Sequence, residues 1–122
     1  YGFTEEQALR MSASFGGGIG RMRQTCGAAC GMFLLAGLEK GAVDGKDREG
    51  KAANYALVQE LAEEFKKRNG SMICAELLGL KKPEGSSTPE ARTEQYYAKR
   101  PCAKMVEEAA TIWAEYLEKQ QE

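Results

Sequence analysis

The sequence predicts an all-α fold, a compact, orthogonal or irregular bundle of about five to six helices around one central buried helix at about residues 25–41. Three observations point there. Capping signals stand ahead of stretches whose apolar residues recur at helical spacing. The stretch between Thr25 and Gly41 is apolar almost all round the cylinder, and no stretch alternates apolar and polar residues as a strand would. With 122 residues the chain has the length of one domain, 1–122, able to bury a core without disulfide support.

The elements follow in order. Thr4-Glu5-Glu6-Gln7 has the form of a capping box, and Ala8, Leu9, Met11 and Phe15 follow at near-helical spacing, so a first helix is expected from about Thr4 to Ser14. The run Phe15-Gly16-Gly17-Gly18-Ile19-Gly20-Arg21 stops it, because glycine tolerates positive φ and costs a helix entropy. Ala28, Ala29, Met32 to Ala36 and Leu38 then mark the central helix, closed by Gly41, and 42–50 reads as a polar surface connection. A third helix from about Lys51 to Arg68 carries the stripe Tyr55, Leu57, Val58, Leu61, Ala62 and Phe65, and Asn69-Gly70 ends it. Ser71 is expected to cap a short helix with Ile73, Cys74, Leu77 and Leu78, ended by Gly79, before a loop from Lys81 to Ser87. Thr88-Pro89-Glu90 opens a further short helix to about Ala98. Pro101 opens the last, to about Gln120, with Cys102, Val106, Ala109, Ala110, Trp113, Tyr116 and Leu117 on one face.

Composition excludes several function classes. Seventeen basic and eighteen acidic residues give a net charge of -1, without the basic footprint that nucleic acid or anionic lipid requires. The longest apolar run, Gly31 to Leu38, falls far short of the roughly 20 residues that cross a bilayer. No membrane insertion is expected. The absence of histidine removes Ser/His and Cys/His catalytic pairs, histidine metal ligands and the haem-attachment motif. The glycine run lacks the Walker lysine and a preceding strand, which argues against a nucleotide. Arg21 and Arg23 read as a solvated basic loop, and the Glu5-Glu6, Glu63-Glu64 and Glu107-Glu108 pairs as solvated helix faces. Four sparse cysteines in a chain that folds without them favour a reducing compartment, hence a cytoplasmic location.

Those cysteines carry the chemistry. The central helix begins Thr25-Cys26-Gly27-Ala28-Ala29-Cys30-Gly31, and a thiol at a helix N-terminus meets orphan amides and the positive end of the macrodipole, which favours thiolate. Gly27 and Gly31 bare the backbone on successive turns, and Gly18 and Gly20 just upstream permit close approach of a ligand or cluster. Cys26 and Cys30 stand in an i, i+4 relation, roughly 6 Å apart on a regular helix. The plainer alternative makes Cys30 a small buried hydrophobe. Cys74 lies on the inward face of its helix, and Cys102 at the first turn of the last one. If Cys26, Cys74 and Cys102 converge, with Cys30 or without it, they offer the all-sulfur ligand set of an iron-sulfur cluster or of zinc.

The segments 15–21, Thr25-Cys26-Gly27-Ala28 with Gly31, Gly70-Ser71 with Cys74-Ala75-Glu76-Leu77-Leu78-Gly79, and Cys102 with Val106 and Ala109-Ala110 resemble the redox-active protein family labelled C_GCAxxG_C_C over nearly the whole chain. The resemblance matches Cys26, Cys74 and Cys102 to the family's cysteines and Gly27, Ala28 and Gly31 to the rest of its motif. It implies a redox or cluster-binding role, kinship with a domain of split-Soret cytochromes, and an oxidoreductase or transporter system as neighbour. A further family cysteine is expected in a helix before Tyr1, and Cys30 occupies a variable position of the motif. The resulting expectation is a thiol-based redox or electron-transfer protein that binds an iron-sulfur cluster or cycles between thiol and disulfide. The alternative is a non-enzymatic zinc-binding or accessory module, and a homodimer through the Trp113 and Tyr116 face is a further expectation.

Overall fold

Helix formation starts where the capping box puts it. In the computed structural model, which describes residues 1–79, 89, 93 and 101–121, Thr4 Oγ1 accepts from the Gln7 amide at 3.1 Å and the Thr4 amide donates to Gln7 Oε1 at 2.9 Å. Helix α1 spans Glu5–Ser12 and passes into a single 3-10 turn, Ala13–Phe15. Ser12 Oγ donates back to the Ala8 carbonyl at 2.9 Å, a bond that loosens a helix end. No residue of α1 is buried, and Leu9 is 63% exposed, so its apolar spacing does not feed the core of the described residues.

The central helix, α2, spans Gly27–Lys40 with Cys26 as its N-cap. Helix α3, Arg48–Asn69, starts three residues before the expected Lys51, because Asp47 Oδ1 accepts from the Gly50 amide at 2.9 Å and caps the chain there. It ends at Gly70, whose φ of 88° is the left-handed cap that glycine supplies. Helix α4 is one turn, Cys74–Leu77, and begins later than expected: Ser71 Oγ accepts from the Ile73 amide at 3.0 Å, holding a turn that precedes the helix. Helix α5 spans Cys102–Gln120. The loop expected at Lys81–Ser87 and most of the helix expected from Thr88 to Ala98 lie outside the described residues.

The all-α expectation holds. Among the described residues the only β pairing is an isolated antiparallel bridge between Thr25 and Ile73. Helices α2, α3 and α5 pack on one another. Small residues on α2, Ala29 and Ala36, let the neighbours close on Met32, while α3 contributes Leu57, Leu61 and Phe65 and α5 contributes Met105, Ala109, Ile112 and Trp113. Phe65 and Met32 are the largest side chains fully enclosed, each stabilising the fold by about 2–3 kcal/mol through apolar burial. Two expected stripes shift. Tyr55, assigned to the inward face of α3, is 58% exposed. On α5 the core face runs through Met105 and Ile112 as well as Trp113, while Val106 is 58% exposed. Trp113 is buried in the chain's own core, with its ring tilted 33° to that of Tyr116 and ring centroids 5.1 Å apart. No helix among the described residues is long and apolar enough to cross a membrane.

Candidate functional site

Two short backbone pairings set the site. The Cys26 amide donates to the Met72 carbonyl at 2.7 Å and the Cys74 amide to the Gln24 carbonyl at 2.6 Å, flanking the Thr25–Ile73 bridge. In such an antiparallel pairing Cys26 and Cys74 lie diagonally on one face, with Cα atoms about 7–8 Å apart by usual sheet geometry. The same pairing lays the start of α4 beside the start of α2, although 48 positions separate the two cysteines in the sequence.

The loop leading into this pairing is wound in an unusual hand. From Gly17 to Arg21 every residue has φ between 59° and 70°, Ile19 and Arg21 included, and Arg23 follows at 61°. Amides of Arg21, Arg23 and Gln24 donate back to carbonyls of Gly16, Gly17 and Gly18, which closes the turn on itself. Gly18 is indispensable to the fit: a Cβ built there would stand 2.5 Å from Cys74 Cβ and 2.7 Å from Arg23 Cα. At Gly27 a Cβ would stand 2.6 Å from the Phe15 carbonyl oxygen, so the first turn of α2 rests directly on the loop.

These contacts border an open cavity of about 500 Å³. Cys26, Cys74 and Cys102 all line it, from the starts of α2, α4 and α5, so the convergence that the sequence left open is present as a shared cavity wall. Gly18, Gly27 and Gly31 line it too, whereas Gly20 is exposed outside it. Cys30 is not part of the wall. It lies about 200° round α2 from Ala28, at 100° per residue, is 8% exposed, and its Sγ sits 4.0 Å from the Thr25 carbonyl. Because Cys26 is the cap, with φ -53° and ψ 132°, it is not on the helical row where the i, i+4 rule would aim both sulfurs the same way.

All four thiols are free. Among the described residues no group of three or more Cys, Asp or Glu side chains is arranged to hold a metal ion, so the three sulfurs share a cavity without forming a coordination shell. Electrostatics at Cys26 run against the sequence expectation. Burial pushes its thiol up; the amides of Ala29 and Ala28 at the helix start pull it down without cancelling that, and the neighbouring Cys74 and Cys102 add to the rise. Burial likewise pushes Cys30 up.

Arg23 is the residue that sequence reasoning placed wrongly. Rather than sitting in a solvated loop it is 4% exposed, lines the cavity, and its Nη1 donates to Cys74 Sγ at 3.6 Å. Nothing local distinguishes it from Arg21. Its burial follows from the pairing of residues 23–26 with 72–75, where the Ala75 amide donates to the Arg23 carbonyl at 3.3 Å. The apolar walls formed by Phe15, Met32 and Leu35 were also missed as site residues, since at helical spacing they read simply as core.

Comparison with curated proteins and with solved structures gives no match. The cysteines and glycines that build the cavity are the ones that carry the resemblance noted from the sequence. Residues 1–116 match the family described as "Putative redox-active protein (C_GCAxxG_C_C)", and the chain belongs to that family.

Proposed function

We propose that the chain is a thiol redox protein in which Cys26 and Cys74 form the working pair, with Cys102 at the exposed edge of the same cavity. One observation carries this reading: three of the four cysteines, from three separate helix starts, line one cavity, while the fourth is buried elsewhere. Electrons are carried as two thiols and released by closing a disulfide. By usual geometry the two Cα atoms lie slightly beyond the roughly 4.4–6.8 Å a disulfide spans, so closure requires residues 24–26 to slide along 72–74, loosening the two short backbone bonds between them. Such an adjustable pair belongs with exchangeable disulfides rather than with structural ones.

The test is oxidation of the full chain followed by mapping of disulfides by mass spectrometry. A Cys26–Cys74 disulfide with Cys30 left as thiol is expected. Four thiols that stay inert, or a disulfide that uses Cys30, would overturn the assignment. The three thiols on the wall favour a second reading, in which Cys26, Cys74 and Cys102 hold an iron-sulfur cluster or a zinc ion. Anaerobic purification with iron, zinc and acid-labile sulfide analysis separates the two: stoichiometric iron and sulfide with visible absorbance support the cluster, and colourless metal-free protein removes it.

A further inference from the structure

Resting on the thiol and disulfide reading above, we infer that the cavity is a pocket for small organic disulfides with an apolar body, and that Gly31 sets its width. The cavity is larger than a dithiol alone needs: about 500 Å³ lies inside the range of roughly 300–1,000 Å³ typical of small-molecule sites. It runs from Cys26 past Ala28, Gly31 and Met32 to Leu35, nine residues along α2 and therefore about 13 Å at 1.5 Å per residue. Val106 and Ala110 of α5 face it from the other side. Thiols thus stand at one end of an apolar channel.

Gly31 gives the channel its width. A glycine inside a helix costs about 1 kcal/mol relative to alanine, and at Gly27 the contact with the Phe15 carbonyl requires a glycine. At Gly31 no contact does, because a Cβ there would meet nothing within 4 Å. The missing side chain leaves open space in the wall, one turn beyond the reactive end.

The exchange balances as follows. The Cys26 thiolate attacks one sulfur of the incoming disulfide; its S–S bond breaks, and the far half leaves as a thiolate that takes up a proton. The Cys74 thiolate then attacks Cys26 Sγ in the mixed disulfide, releasing the second half as a thiol and leaving a Cys26–Cys74 disulfide. The organic disulfide is reduced to two thiols, and the protein is oxidised by two electrons until a dithiol reductant restores it.

The experiment compares rates of oxidation of the reduced full chain by diphenyl disulfide and by 2-hydroxyethyl disulfide, with the urea-unfolded chain as reference. The folded chain is expected to favour the aryl compound at least tenfold more than the unfolded chain does. Gly31→Leu should lower that preference at least tenfold, with Gly31→Ala giving a smaller fall in the same direction. Gly37→Leu, on the same helix but outside the cavity wall, should leave the preference where it was. A preference equal to that of the unfolded chain, or one indifferent to Gly31, would sink the pocket while leaving the redox pair standing. Absence of any intramolecular disulfide with either compound would overturn both.

Discussion

The glycines of the site make opposite demands, and their substitution measures how tightly the loop is locked under Cys74. At Gly18→Ala two costs add. The backbone sits at φ +70°, where an L side chain costs about 1–2 kcal/mol. The new Cβ would also stand 2.7 Å from Arg23 Cα and from the Gln24 amide nitrogen, backbone atoms that move only with the loop, and overpacking of this kind costs about 1–3 kcal/mol. The sum, about 2–5 kcal/mol, is a large part of the 5–15 kcal/mol that holds a typical domain. At Gly31→Ala neither cost exists, and helix propensity returns about 0.5–1 kcal/mol. Urea unfolding followed by far-UV circular dichroism reads both as midpoint shifts, downward by about 1 M or more for the first and upward for the second. Equal effects, or a Gly18→Ala loss below about 0.5 kcal/mol, would refute the claim that the left-handed loop is seated on Cys74.

Three other outcomes follow from the same contacts. Phe65→Ala empties the centre of the core and should destabilise the fold by about 3–5 kcal/mol in the same assay. Asp47→Ala removes the cap on α3 and should cost about 1 kcal/mol, with Asp47→Ser recovering most of it. Stability should fall as pH rises through the thiol range: Cys26 and Cys30 keep their protons longer when folded than unfolded, so their contribution is whole below an unfolded thiol value of about 8.5 and is lost as pH climbs toward the raised folded values. The slope is at most about 1.4 kcal/mol per pH unit for each thiol, and urea titrations between pH 7 and 10 should show it flattened in Cys26→Ala and Cys30→Ala. Stability rising over that range would contradict burial as the cause.

Local signals in the sequence carry the helices because helices close their hydrogen bonds within a few residues. Thr4 and Gln7 form the expected capping box, Gly70 the expected left-handed cap, and the central helix, its start and its end, matches the residues that are apolar all round. What was not legible depends on partners far along the chain. Arg23 is buried by residues 72–75, the short helix starts at Cys74 rather than near Ser71 because Ile73 is held in the bridge, and the α5 stripe divides because Met105 and Ile112 turn to the core while Cys102 and Val106 turn to the cavity. Spacing identified which cysteines sit at helix starts; it carried no information on which of them would share a wall.

The competition at Cys26 shows why that sharing decides the chemistry. A helix start alone would favour a thiolate, and the amides of Ala28 and Ala29 do act in that sense. The three elements that bring Cys74 and Cys102 alongside also take water away from Cys26, and desolvation is the larger effect. A thiol-lined cavity that partly desolvates its central sulfur therefore holds it protonated at neutral pH and slow toward disulfides free in water. A molecule that enters the cavity meets that sulfur beside a second one in reach, so proximity supplies what acidity does not. On this reasoning reactivity at Cys26 depends on how well the reagent's body fits the channel, more than on the pH at which it is offered.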